Sequence, residues 1–216
     1  MLESNDELIA EEIYRSNITD ITKHMIANGI QATCQSCQNI MASALELGIP
    51  RSKKFDTACR FSFILSSILT KSIDENNLSQ LTYDEVSTGR GRPIIHYRSG
   101  NAIFHIKKES NANRLPQGAK YRREEIKGNE QILLFPDIVE VSPAHMVVTF
   151  NHKDFQLKFI QIGMIDPTYE RWLFRDDLLS YIQSNTVETM QKTYGAPLEQ
   201  QAIELVQKNF RLEMKG

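Results

Sequence analysis

The basic residues of this 216-residue chain are concentrated in one stretch of sequence. Residues 89–128 hold 10 lysines and arginines against 3 glutamates, a net charge of +7. The other residues sum to −9, so the formal net charge of the whole chain is only −2. Clustered cations bind phosphate groups, and the stretch is therefore a candidate nucleic-acid site. The candidate contacts are Arg90, Arg92, His96, Arg98, His105, Lys107, Lys108, Lys120, Tyr121, Arg122 and Arg123.

Residues 90–93 read Arg-Gly-Arg-Pro. Extended arginines fit the narrow minor groove of A·T-rich DNA, glycine permits a close backbone approach, and proline fixes an extended exit. The four residues resemble the core of the AT-hook, which implies minor-groove contacts for Arg90 and Arg92. The alternative is a Gly-Pro turn that leads into the first strand of a hairpin.

A hairpin is predicted over residues 94–107, with a two-residue turn at Gly100-Asn101. In this register Tyr97 faces Phe104 on an apolar face. The opposite face would then carry His96, Arg98, His105 and Lys107. A cationic sheet face with an aromatic residue nearby can bind phosphate and stack bases, and the alternative is an ordinary solvated face.

A second pattern is typical of a nuclease. Asp137 follows Pro136 and precedes a predicted hairpin that carries Gln156-x-Lys158. The arrangement resembles metal-dependent nucleases of the restriction-enzyme type, in which carboxylates hold Mg²⁺ and a lysine helps to activate water. Glu124, Glu125 or Glu130 would supply a further carboxylate, since Gln156 replaces the usual acid. Asp137, Gln156 and Lys158 are the catalytic candidates, and Mg²⁺ is implied under this hypothesis alone.

The cysteines and histidines predict no metal site. Cys34, Cys37 and Cys59 provide one Cys-x-x-Cys pair without a second pair, whereas structural zinc needs four ligands. Cys34 and Cys37 recur with Met41 and Leu45 at helical spacing, which indicates a buried helix stripe. His96 opposite His105 gives only two ligands.

Helical spacing predicts two helices before residue 48, with Asn28-Gly29 ending the first, and a third helix over residues 56–73. Residues 108–131 read as a long basic loop, and residues 132–135 as a strand. A second hairpin is predicted around residues 151–154, with Phe150 opposite Phe155, Val148 opposite Leu157 and Met146 opposite Phe159. Asp166-Pro167 has the pattern of a helix start, and a last helix is expected over residues 197–214.

These elements predict an α+β fold with an N-terminal helical bundle, a central antiparallel sheet of two hairpins and C-terminal helices. The predicted regions are 1–88 (helical), 89–165 (antiparallel β with the basic loop) and 166–216 (C-terminal helices packing on the same core, as one unit).

The sequence favours a non-catalytic nucleic-acid-binding protein without a cofactor. The alternatives are the Mg²⁺-dependent nuclease and a protein-interaction module or inhibitor that docks on an acidic partner. An acidic start and the lack of a long apolar run predict a cytoplasmic protein that does not enter the membrane. Nothing in the sequence indicates its oligomeric state.

Overall fold

A computed structural model describes residues 5–46, 58–76, 81–86, 94–118, 120–134 and 143–182. Its α-helices are α1 (Asn5–Asn17), α2 (Asp20–Glu46), α3 (Ala58–Asn76), α4 (Lys120–Lys127) and α5 (Asn129–Leu134). Its strands are β1 (Leu81–Val86), β2 (Ile94–Ser99), β3 (Ala102–Lys108), β4 (Ala144–Lys153), β5 (Gln156–Ile165) and β6 (Trp172–Asp177). A 3-10 turn, Leu179–Tyr181, follows β6.

The six strands form one sheet in chain order, from β1 to β6. Four of the five pairings are antiparallel, and β3–β4 is parallel. The sheet thus consists of two antiparallel three-stranded units joined by one parallel pair. The predicted mixture of helices with a mainly antiparallel sheet is confirmed. The three predicted regions stay predictions.

Helices α1 to α3 cover one face of the sheet, which we call the helical face. Tyr14 of α1 lies against Phe174 of β6 at a ring distance of 4.8 Å. Phe61 of α3 stacks on Phe150 of β4 at 5.1 Å. Both α1 and α3 bury an apolar stripe, which explains why these amphipathic segments fold onto the sheet. The main hydrophobic core lies in this layer.

Helix α2 continues through Asn28-Gly29, where the sequence predicted a helix end. A Cβ atom at Gly29 would lie 2.4 Å from Leu69 Cδ2 of α3. The glycine therefore allows two packed helices to approach closely, and packing overrides the local stop signal. Cys34, Cys37 and Met41 are buried on this helix as predicted, whereas the side chains of Leu45 and Cys59 lie outside the described residues.

The first predicted hairpin and its register are confirmed. Tyr97 pairs with Phe104 and the turn lies at Gly100-Asn101. Gly100 has a φ of +55°, which glycine adopts readily. The Asn17 side-chain oxygen at the end of α1 accepts a bond from the Asn101 amide at 2.6 Å, so the hairpin turn is attached to the helical layer.

The second hairpin exists, but its predicted register is wrong. Phe150 pairs with Ile160 rather than Phe155, and Val148 with Ile162 rather than Leu157. The turn is shorter than predicted. It consists of Asp154 and Phe155, which both have a positive φ. A bulge at Asn151/His152 shifts the pairing further.

The stretch predicted as a basic loop contains helices α4 and α5, and the strand predicted over 132–135 is wrong because residues 132–134 belong to α5. Parallel strands cannot be joined by a tight turn, so the chain from β3 to β4 must cross over the sheet. Helices are the usual means of crossing, because they satisfy their own backbone hydrogen bonds.

The helix predicted from Asp166-Pro167 is also wrong. Asp166 instead stabilises a turn, in which its side chain accepts bonds from Thr168 Oγ1 at 2.7 Å and the Glu170 amide at 3.1 Å. The chain then enters β6. The predicted helix over residues 197–214 lies outside the described residues.

None of the described helices is both long and apolar enough to span a membrane.

The contact between Gly29 and Leu69 predicts the effect of one substitution. Gly29→Ala should lower the free energy of unfolding by about 1–3 kcal/mol, because the overpacking outweighs the better helix propensity of alanine. Denaturant unfolding measures the change. In a double-mutant cycle with Leu69→Ala the two losses should be less than additive. A stabilising Gly29→Ala would show that α2 and α3 are not packed this closely.

Candidate functional site: the polar face beneath helix α4

The second face of the sheet carries His96, Arg98, His105, Lys107 and Thr149, and we call it the polar face. These residues share a face because the strand pairings place Lys107 opposite Thr149, while side chains alternate along each strand. The sequence predicted that the first four share one hairpin face, either as a phosphate-binding surface or as an ordinary solvated face.

Helix α4 covers part of this face. Its Ile126 packs with Val147 and Ile165 in a small second core, with Tyr169 and Trp172 at its border. The segment before α4 is attached as well, since Gln161 Nε2 donates to Ala112 O at 2.6 Å and Tyr169 Oη donates to Pro116 O at 2.9 Å. The crossover is therefore packed on the sheet.

A histidine–carboxylate pair lies under α4. His96 Nε2 is 3.3 Å from Glu125 Oε1, and both side chains are largely buried. His145 of β4 lies close to the same carboxylate, and burial lowers its pKa below 6.5. Asn129 exchanges two hydrogen bonds of 2.9 Å with the backbone of His145, so the start of α5 is fixed to β4.

The second group consists of His105 on β3 and Arg122, which belongs to α4 itself and faces the sheet. His105 is 5% exposed and Arg122 is 4% exposed. Arg122 donates to Gln117 O, and its Nη2 donates to Tyr121 Oη at 2.9 Å. Burial, with the nearby Arg122 charge, lowers the pKa of His105 well below 6.5, so this imidazole is neutral at physiological pH.

Lys107 and Glu109 lie at the edge of this group. Lys107 Nζ is 3.9 Å from Glu109 Oε1, and the carboxylate is buried while the lysine is 29% exposed at its side chain. Burial and the neighbouring Arg122 lower the pKa of Lys107. Lys107 of the polar face and Arg122 of α4 are thus two neighbouring cations, with Glu109 as the nearby carboxylate.

The charged side chains of the crossover divide into exposed ones and ones that are buried or half-buried. Among the described residues of 107–127, Glu109 is buried, Glu125 is half-buried, and Glu124 is the exposed acid. Five cations of the same segment are exposed: Lys108, Arg114, Lys120, Arg123 and Lys127. The segment holds seven cations and three acids in all, a net charge of +4, and the same net charge of +4 remains on its exposed surface.

The predicted contacts fall into three groups. His96, His105 and Arg122 are buried and so are not accessible for the contacts predicted for them, and Lys107 and Tyr121 are half-buried. Lys108, Lys120 and Arg123 are exposed, and so is Arg98, which binds Asp84 at 2.7 Å. Arg90 and Arg92, with the AT-hook-like motif, lie outside the described residues.

The nuclease candidates are not brought together by the described structure. Gln156 and Lys158 are exposed near the start of β5, and Asp137 lies outside the described residues. Within the described ranges, no group of three or more His, Cys, Asp or Glu side chains could hold a metal ion.

Sequence reasoning did not place Glu125 and His145 with His96 between the polar face and helix α4. The available signal was helical spacing, because Tyr121 with Glu125, and Arg122 with Ile126, are four residues apart.

Comparison of the chain with protein-family models, curated proteins and solved structures finds no match in any of the three.

The buried histidines predict acid sensitivity. The fold favours neutral His105 and His145, so the unfolded chain binds more protons once the pH falls below about 6.5. The melting temperature should therefore decrease from pH 7.5 to pH 5, as calorimetry can measure. His105→Gln should reduce this dependence, with His24→Gln on α2 as the matched control. An unchanged pH dependence in His105→Gln would contradict the buried placement of the imidazole.

Proposed function

We propose that the protein binds nucleic acid non-catalytically through the outer surface of the crossover between β3 and β4. The observation that carries the proposal is the exposed charge of residues 107–127, where five cations and one carboxylate are accessible, while Glu130 is the other exposed acid among the described residues of the crossover. Binding of such a surface to phosphates is driven by counterion release and needs no deep cleft.

Aromatic rings beside the cations support the proposal. The Arg123 guanidinium carbon is 5.6 Å from the ring centre of Tyr169, and that of Arg175 is 5.9 Å from the ring centre of Trp172. Both rings border the small core under α4 and remain partly accessible. Cations next to partly accessible rings can combine phosphate contact with base stacking, as proteins that bind single strands do.

The roles of the predicted residues follow from their exposure. Lys108, Lys120 and Arg123 are proposed to contact phosphates directly, and Arg98 to do so after exchanging Asp84 for a phosphate. His96, His105 and Arg122 are proposed to act indirectly, because they lie under α4 and hold its cations on the surface. The predicted minor-groove contacts of Arg90 and Arg92 stay a hypothesis. The nuclease site at Asp137, Gln156 and Lys158 also stays a hypothesis.

The binding proposal predicts a strong dependence on salt. Fluorescence anisotropy with labelled DNA and RNA oligonucleotides should show an affinity that falls about 10³-fold or more between 50 and 200 mM salt if six or more phosphates are contacted. Replacing Lys120 and Arg123 by glutamine should reduce the slope of log affinity against log salt by about 1 for each lost contact.

The matched control replaces two cations of the helical layer, Arg15→Gln and Lys71→Gln. Like Lys120, each has a carboxylate partner four residues away on its own helix. This variant should bind like the parent protein. Equal losses in both variants, or no binding at 50 mM salt, would contradict the proposal. Retention of an acidic protein after nuclease treatment, without oligonucleotide binding, would instead favour the protein-interaction alternative.

A further inference from the structure

Four buried side-chain atoms of the sheet's second face and of helix α4, which covers it, form no hydrogen bond with any described residue. They are His105 Nε2 on β3, Thr149 Oγ1 on β4, Arg122 Nε on α4 and Trp172 Nε1 on β6. Leaving a buried polar group unpaired costs about 1–3 kcal/mol, so several such atoms in one layer require an explanation.

Three of these atoms belong to neighbouring positions. Thr149 lies opposite Lys107, and His105 lies opposite Val147, so Thr149 and His105 are diagonal neighbours on the same face. Arg122 donates to Gln117 O, the Gln117 amide donates to Glu109 Oε1 at 3.3 Å, and Lys107 Nζ lies 3.9 Å from the same oxygen. These contacts place the guanidinium near this part of the sheet. The exposures of Thr149, Arg122 and His105 are 0%, 4% and 5%.

The unpaired atoms are all able to donate. The guanidinium Nε–H can only donate, whereas a hydroxyl and an imidazole N–H can each donate one bond. Arg122 forms no ion pair with a described carboxylate, and Glu109 is the single buried acid of this group. A buried guanidinium without its own anion is costly. A species with negative charge and several acceptor oxygens would satisfy the donors and the charge together.

We propose that the layer between α4 and strands β3 and β4 binds a phosphate-type oxyanion. Arg122, His105 and Thr149 donate hydrogen bonds to its oxygens, and Lys107 supplies a second positive charge from the solvent-accessible edge. This site differs from the exposed cations of the proposed function and does not rest on them. Inorganic phosphate and the terminal phosphate of an oligonucleotide offer the same chemistry.

The proposal is tested by thermal unfolding of the full chain in a phosphate-free buffer. Inorganic phosphate should raise the melting temperature by several °C when it replaces chloride at constant ionic strength, because it binds only the folded protein. No increase up to tens of millimolar phosphate would overturn the proposal.

Two variants assign the effect to this site. Thr149→Val keeps the side-chain shape and should remove half or more of the phosphate-induced increase, with no loss of melting temperature in phosphate-free buffer. Arg122→Met should abolish the increase. Thr33→Val is the matched control, because the Thr33 hydroxyl is buried on α2 and donates to Gly29 O at 2.7 Å, and it should keep the full increase. If Thr149→Val and Arg122→Met both keep it, the anion binds elsewhere and the proposal is wrong.

A third arm identifies the source of the phosphate. Oligonucleotides with a 5′-phosphate should bind more tightly than those with a 5′-hydroxyl if the site takes strand ends, and equally if it takes free phosphate. The Lys120→Gln/Arg123→Gln variant separates this site from the proposed function. It should lose oligonucleotide affinity and keep the increase in melting temperature with inorganic phosphate.

Discussion

Strands β3 and β4 run parallel, and the arrangement of the polar face depends on this one pairing. Every other connection between the described strands joins antiparallel neighbours, which short turns or loops can link. The connection from β3 to β4 must instead travel the length of the strands, and it does so as a helical crossover. Because α1 to α3 already cover the helical face, α4 packs on the polar face, where it encloses His96, His105 and Arg122.

The crossover also explains how a nearly neutral chain presents a basic surface. Packing α4 through Ile126 leaves Glu125 turned toward His96, while Lys120 and Arg123 remain in solvent. Glu109 and Glu125 are withdrawn from the surface together with Lys107 and Arg122, so the exposed part of residues 107–127 keeps a net charge of +4. The same packing places the Arg122 guanidinium where water has little access, which is the origin of the second, interior positive region.

Local signals were sufficient for some elements and misleading for others. Alternating side chains and the Gly100-Asn101 turn were enough to predict the β2–β3 register, because both features act over a few residues. Gly29 was misleading as a helix-stop signal, because the missing side chain allows α2 to pack closely against Leu69 of α3. Helix α4 was missed because it is 8 residues long and strongly polar, with Ile126 as its one buried apolar side chain. The burial of His96 could not be predicted before α4 was placed.

Residues 120–127 form a helix packed on the polar face rather than a free basic loop, and the burial of this face depends on that packing. Hydrogen exchange of the backbone amides of residues 124–127 tests it directly, because these amides form the intrahelical bonds of α4. We expect exchange at least ~100-fold slower than in an unstructured peptide, since a packed helix must open before its amides exchange. Exchange at the unstructured rate, while the amides of β3 and β4 stay protected, would contradict it.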